Sequence, residues 1–452
     1  MKMNAKQLVA AVVVSVVGVE AVAGGEVIEH DLKITMPQPV PALFGDSVSL
    51  AGSVAVVSAT AGTNGMNYGA AYALDVNTGE LLFELVPEPD GENQGYDLVG
   101  RAIASTEQFA VVTAMEFGFR GIAKVFDLTT GQQILSLSPE YVSENSSHYG
   151  FGVSVAANGS YIAIGAPYDH VSGLYDTAPA EVYLFDATTG EQLFKFAPEH
   201  GIHDPVFGES VAVSDTVVVV SNGGDEGLVS VYDISTGDLR FNLSTPELEG
   251  MDDWYGLKLA VTDSLIAVGV PYEEVPGNGN GSVYIFDAQT GNLLRTLSVD
   301  NEDQNNLFGW SIDLDGSIAV IGTRGSSEIE AAPGAAYVFD LNTGELLHEL
   351  VPDEDSLIDD FGYSVAIDGS MVLVGKPHDA EMGFGAGAAY RFDLPLGCPG
   401  DATGDGAVDL ADLNLVLANF GGATTEGDAN GDGQVDLADL NLVLANFGSN
   451  CD

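Results

Sequence analysis

From residue 44 to 396 the apolar positions repeat one sentence, clearest at 151–196: "FGVSVAANGSYIAIGAPYDHVSGLYDTAPAEVYLFDATTGEQLFKF". "VSVAA" alternates and predicts a strand with one buried face, and "NG" predicts a tight turn. "YIAIGAP" is apolar without interruption, as in a strand covered on both faces. "EVYLFD" and "EQLFKF", joined by "ATTG", predict an outer hairpin. The opening pair recurs at Phe44-Gly45, Val99-Gly100, Phe151-Gly152, Phe207-Gly208, Tyr255-Gly256, Phe308-Gly309 and Phe361-Gly362, with spacings of 55, 52, 56, 48, 53 and 53 residues. A period near 50 with four short strands per unit predicts a seven-bladed β-propeller.

An Asp-x-x-Thr-Gly turn closes six units, at Asp75, Asp127, Asp186, Asp233, Asp287 and Asp340. The aspartate can cap such a turn and the glycine can take a positive φ. These are expected to be structural residues. The seventh unit ends at Asp393 without that turn and without a fourth strand, while "EVIEHDLKITMP" precedes the first unit as an orphan strand pattern. A strand near 27–35 is therefore expected to complete the seventh blade and lock the ring.

After residue 396 the period changes to that of helices. Leu413, Val416, Leu417 and Phe420 follow i, i+3, i+4, i+7, and Leu440, Val443, Leu444 and Phe447 repeat the pattern. Neither stripe can be buried alone, so the two helices are expected to pack on each other. Ahead of each lies an acidic loop. Oxygen ligands fall at loop positions 1, 3, 5, 9 and 12: Asp401, Thr403, Asp405, Asp409 and Asp412, then Asp428, Asn430, Asp432, Asp436 and Asp439. Position 7, Ala407 or Gln434, offers a backbone carbonyl, and position 6 is Gly406 or Gly433. That spacing suits a hard cation needing six to eight oxygens, so two calcium sites are expected. Position 12 is Asp where Glu is usual, which shortens its bidentate reach. The segments before the loops, "PLGCPG" and "GGATTEG", cannot be helices.

Composition adds limits. There are 67 acids against 13 bases, a formal charge of -54. Nucleic acid and anionic membrane are excluded as partners, since both need basic patches. The N-terminus carries Lys2 and Lys6, an apolar run from Leu8 to Val19, and Ala21-Val22-Ala23. It reads as a signal peptide over 1–23, followed by an exported chain with no membrane span. In an exported protein the even pair Cys398 and Cys451 suggests a disulfide clasping the ends of the C-terminal segment.

Residues 397–452, with two loops and two helices in that order, resemble the dockerin domain of cellulosome-type proteins. The resemblance implies calcium-dependent docking to a cohesin-like or other protein. Dockerins read their partner at loop positions 10 and 11, here Leu410, Ala411, Leu437 and Ala438. Hydroxyl residues are frequent at those positions in the family, so a familiar cohesin is not the expected partner. Residues 24–396, with Phe-Gly openings and Gly165-Ala166-Pro167, Gly269-Val270-Pro271 and Gly375-Lys376-Pro377, resemble FG-GAP repeats of the integrin α-subunit propeller. Blade calcium sites known in such propellers are not carried over, because the turns between first and second strands are minimal here.

The expected fold is thus all-β, a seven-bladed propeller followed by a small α-helical calcium-binding unit. The six connections between blades hold twenty acids and no Lys or Arg, so one rim is strongly negative. His148, His170, His200 and His203, with Asp169 and Asp204, fall on the same rim and are weighed as transition-metal ligands and as plain surface residues. No nucleophile motif, zinc signature or phosphate loop is present. The leading reading is an exported, non-catalytic binding or adhesion protein, whose propeller recognises an extracellular ligand. The alternative is a dockerin-borne glycoside hydrolase or lyase with its site on the propeller face, for which Arg101, Arg120, Arg324 and Lys376 are the basic candidates.

Overall fold

The computed structural model describes residues 26–36, 43–60, 69–87, 96–97, 99–116, 120–139, 150–167, 180–198, 207–222, 228–243, 258–271, 281–299, 307–324, 334–352, 360–381, 385–395, 400–403, 407–422, 427, 429 and 434–448. The chain divides into two compact units, Met1–Asp393 and Leu394–Asp452.

The first unit is a seven-bladed propeller. Its blades span 44–85, 96–137, 154–196, 211–243, 258–297, 311–351 and 364–393, each an antiparallel sheet built in chain order except that in the second both Tyr96–Asp97 and Ile103–Ser105 pair with Phe109–Glu116. The third blade shows the pattern, pairing Ser154–Ala157, Tyr161–Ala166, Glu181–Asp186 and Gln192–Phe196 in sequence. First strands of successive blades touch one another around the whole ring, so the first strand of each blade lines a central bore. The second strands are covered on both faces, which is why Val217, Val218, Val219 and Val220 can be four apolar residues in a row. The outermost strands alternate, exposing Leu82, Ile134 and Leu193 on the perimeter.

The apolar cores lie between blades. One joins Val56, Ala71 and Leu85 of the first blade to Val112, Ile122 and Phe126 of the second. Another joins Val219 and Val231 of the fourth to Ile266 and Phe286 of the fifth. No blade can bury both its faces alone, so the ring must close to be stable.

The N-terminal segment closes it. β1 (Glu26–Glu29) and β2 (Leu32–Ile34) attach to different blades. β2 pairs antiparallel with Ala388–Asp393 and is the fourth strand of the seventh blade. β1 instead adds a parallel fifth strand to the sixth blade, with Val27 opposite Glu349 and Ile28 opposite Leu350. The single strand expected at 27–35 is therefore split, at His30-Asp31. The reason lies at the missing turn: Asp31 accepts a hydrogen bond from the Asp393 backbone N–H at 2.7 Å and donates its own N–H to Arg391, so the chain bends there. Lys33 reaches from β2 to Asp379 at 3.1 Å and to Glu381.

The six Asp-x-x-Thr-Gly turns are built as their residues require. In the third blade Asp186 Oδ1 accepts from the N–H groups of Thr188 and Thr189 at 3.0 and 2.7 Å, and Gly190 has φ +73°. Each such glycine also lies over the outer strand of the blade before it. A Cβ on Gly131 would come within 2.4 Å of the Phe83 ring, and one on Gly237 within 2.6 Å of the Phe194 ring.

The second unit holds α1 (Leu410–Asn419) and α2 (Leu437–Ala445). They pack through Val416 and Val443 with Val408 and Val435 from the loops, flanked by Leu413 and Leu440. The expected apolar stripes divide here. Leu417, Phe420, Leu444 and Phe447 stay about half exposed, at 53%, 50%, 53% and 50%. Four valines already fill the space between two such short helices.

Candidate functional site

The Phe-Gly pair explains how side chains are set at one end of the bore. The residue after the glycine donates its N–H to the residue before the phenylalanine: Asp46 to Leu43, Val153 to Gly150, Trp310 to Leu307, Tyr363 to Asp360. Phe and Gly are the central residues of that turn, and Gly45, Gly152, Gly309 and Gly362 take φ +91°, +84°, +89° and +84°, the demand a type II turn makes of its third residue. The phenylalanine anchors the turn from inside; Phe44, Phe151, Phe308 and Phe361 are all buried. Each turn therefore places the side chain of Asp46, Arg101, Val153, Glu209, Trp310 or Tyr363 at the entrance of the first strand. Together they form the mouth of the bore.

The Gly of Gly-Ala-Pro serves the same junction. A Cβ on Gly322 would lie 2.1 Å from the Gly362 carbonyl oxygen of the next blade, and one on Gly165 would lie 1.9 Å from that of Gly208. The serine two residues past the Phe-Gly glycine binds the same carbonyl: Ser154 to Gly208 and Ser311 to Gly362, each at 2.8 Å. Phe-Gly, Ser and Gly-Ala-Pro are thus one contact, made between neighbouring blades.

At the sixth and seventh blades the mouth departs from this pattern. Arg324 stands where other units carry the motif's proline. Its guanidinium carbon is 4.8 Å from the Trp310 ring centroid and 5.6 Å from that of Tyr363. Its Nε forms an ion pair with Asp360 at 3.6 Å. The same Asp360 carboxylate, which is buried, binds His378 Nδ1 at 3.0 Å. That hydrogen bond holds the His378 imidazole pKa above its ordinary value, against the effect of burial. One carboxylate thus holds two donors. Among the described residues the terminal Nη groups of Arg324 and the Nε2 of His378 make no hydrogen bond.

The adjoining fifth blade contributes Lys258, where five other blades carry serine. The surrounding protein lowers its ammonium pKa, partly offset by the charges of Glu209 and Asp46. Burial pushes the Asp46 carboxyl up, while a Thr60 hydroxyl at 3.1 Å and the charges of Lys258, His378 and Arg101 pull it down. Side chains from five blades therefore feel one another at this mouth. Deeper in the bore, burial raises Asp313 to about 7, although the N–H groups of Ile367 and Leu314 at 2.9 and 3.0 Å favour its charged form.

In the C-terminal unit the first loop brings positions 1, 3 and 12 together. The Thr403 hydroxyl is 3.2 Å from Asp401 and 2.9 Å from Asp412. Asp412 also accepts from the Thr403 and Asp409 N–H groups at 2.9 and 2.7 Å. Asp409 caps α1 from position 9, and Asp436 caps α2 with the same reciprocal bond from Asp439. Ala407 and Gln434 precede these caps. The donor set is all oxygen, which fits calcium and not a softer metal. Among the described residues no three carboxylate or imidazole groups converge as a metal site. Asp405, Asp428, Asn430 and Asp432 lie outside the described residues, as do Cys398 and Cys451. Leu410, Ala411, Leu437 and Ala438 are all exposed on the first turns of the helices.

Of the other sequence candidates, Lys376 is buried and pairs with Asp379 at 3.4 Å, away from solvent. The side chain of Arg120 and the four rim histidines lie outside the described residues. Lys258, His378, Asp46 and Asp360 were not picked out from the sequence. The signal was there in the repeat register: lysine replaces serine at 258, and arginine replaces proline at 324.

No helix among the described residues is long and apolar enough to cross a membrane. A search of curated proteins finds no match. A solved structure of a computationally designed protein, Ika8, is similar at 17% identity over 82% of this chain and all of its own, with a TM-score of 0.46. The FG-GAP repeat family model matches residues 296–339 and 347–392, the sixth and seventh blades around the mouth just described. The chain thus carries FG-GAP repeats within a seven-bladed β-propeller.

Proposed function

We propose that this is an exported, non-catalytic binding protein. Its propeller recognises an extracellular ligand, and its C-terminal unit is a calcium-loaded dockerin that docks it to another protein. The observation that carries this reading is the doubled loop–helix unit with matched exposed faces. Leu410, Leu417 and Phe420 are 60%, 53% and 50% exposed, and Leu437, Leu444 and Phe447 repeat the same values. An apolar face kept twice at the same exposure is suited to a protein partner. The all-oxygen loops would take two Ca²⁺, held by Asp401, Thr403, Asp405, Asp409 and Asp412 and by Asp428, Asn430, Asp432, Asp436 and Asp439, with the carbonyls of Ala407 and Gln434.

Calcium titration of the full chain tests it, followed by calorimetry and limited proteolysis. Two sites and protection of 400–448 by calcium are expected, with the protection lost in EGTA. No calcium uptake, or a cleavage pattern indifferent to EGTA, would refute the reading. Turnover of any polysaccharide by the propeller would refute its non-catalytic part.

A further inference from the structure

We propose that the mouth of the bore binds the free C-terminal carboxylate of a neutral or basic polypeptide. This rests on the reading of the propeller as a ligand-recognition disc, and names its site and ligand chemistry.

Three features point to a carboxylate. First, the Arg324 guanidinium lies over the adjoining Trp310 and Tyr363 rings, with 37% of its side chain exposed. Stacking leaves the planar edge of a guanidinium open, and that edge matches the two oxygens of a carboxylate. Second, one buried carboxylate, Asp360, pairs with Arg324 at 3.6 Å and with His378 at 3.0 Å, and the Nη groups of Arg324 and the Nε2 of His378 have no acceptor among the described residues. Third, Lys258 adds an ammonium with no hydrogen bond among the described residues, placed on the adjoining fifth blade by a lysine-for-serine exchange. Three basic side chains out of 13 in the chain, Arg101, Lys258 and Arg324, stand at this one opening.

Two features select the carrier. The chain has a formal charge of -54, so a polyanion is repelled before it reaches the mouth, whereas a single carboxylate on a neutral or basic chain is not. The donors also sit inside a ring of turns, at the entrance of first strands that touch from blade to blade around the bore. A chain end enters such a ring more easily than a side chain in the middle of a polypeptide.

The test uses the full chain in EGTA, which removes any contribution from calcium-dependent docking. Binding of N-acetyl-Gly-Lys is measured by calorimetry or fluorescence of Trp310, beside its carboxamide, galacturonate and an oligogalacturonate. The free acid is expected to bind at least tenfold more tightly than the carboxamide. Arg324→Gln is expected to weaken it tenfold or more, and Lys258→Ser several-fold. Lys258→Ser installs the residue that five other blades carry there, so it keeps the fold even if Arg324→Gln does not. Equal binding of acid and carboxamide would overturn the proposal, as would full affinity in a folded Lys258→Ser, Arg324→Gln double variant. Tighter binding of galacturonate or its oligomer would overturn the polypeptide assignment. A propeller that holds a protein ligand in EGTA, undisturbed by either substitution, would sink this site while leaving the proposed function standing.

Discussion

The hydroxyl of Ser364, in the seventh blade, donates to the carbonyl oxygen of Gly45, in the first, at 2.8 Å. Beneath that bond, a Cβ on Gly375 would sit 2.1 Å from the same oxygen. The junction that closes the ring is therefore the same one that Ser154 and Ser311 make between interior blades. Gly322→Ala and Gly375→Ala must push a neighbouring backbone aside, and each is expected to cost about 1–3 kcal/mol in thermal or denaturant unfolding. Gly159→Ala meets nothing within 4 Å and is expected to stay within about 0.5 kcal/mol of the parent.

Lys33 ties β2 to a buried carboxylate. Burial opposes the Lys33 charge, but its bonds to Glu381, Tyr390 and Asp379 more than offset this and raise its pKa. Burial likewise opposes the Asp379 charge, yet bonds from Tyr390 and Lys33 leave its pKa below the ordinary value. A depressed carboxylate contributes stability above its unfolded pKa and loses it as pH falls through the folded one. Lys33→Met is expected to cost about 2 kcal/mol at pH 7, and the deficit is expected to shrink as pH falls below the ordinary carboxylate range and Asp379 protonates. Urea midpoints of both proteins across that range check it.

Asp313 has the opposite sign. Its folded pKa of about 7 lies above the unfolded value of 3.8, raised by burial and by the charges of Asp315 and Asp368. Its ionisation therefore costs stability as pH rises from about 4 to about 7, and the loss is complete above that. Asp313→Asn is expected to be more stable than the parent at pH 8.5, by about 2 kcal/mol once solvent screening in the bore is allowed for, and equal to it near pH 4. Equal unfolding midpoints at pH 8.5 would count against a strained carboxylate there.

The split helix stripes separate folding from docking. Val416→Ala opens the small valine core of the C-terminal unit and is expected to cost about 1–3 kcal/mol. Leu417→Ser with Leu444→Ser touches half-exposed positions and is expected to leave unfolding unchanged within about 0.5 kcal/mol. If the partner face is where we place it, the same pair weakens partner binding tenfold or more in a pull-down quantified against the parent.

Blade count, strand order and the capped turns were legible from residue 44 onward because each rests on local chemistry: an alternating strand, a doubly covered run, an Asp–Thr–Gly turn. The split of the N-terminal segment was not, since Val27 and Lys33 carry no mark of which blade they join; partners more than 300 residues away decide it. The mouth was half legible. Arg324 and Arg101 drew notice as rare bases. His378 and Asp360 did not, because their link is a hydrogen bond between the end of one blade connection and the far end of a second strand. Leu417 looked like core by spacing, and the geometry of two short helices left it outside.

The strap formed by β1 and β2 has a consequence for how the molecule comes to exist. Lys33 meets Asp379 across 346 positions of sequence. β2 cannot pair until the last blade has been made, so every intermediate on the way carries an open seam. Native closure is slow and all-or-none under such a connection. A chain cut short anywhere within the final sheet is left with an unlatched circle, its leading end still searching for the residues it was meant to hold.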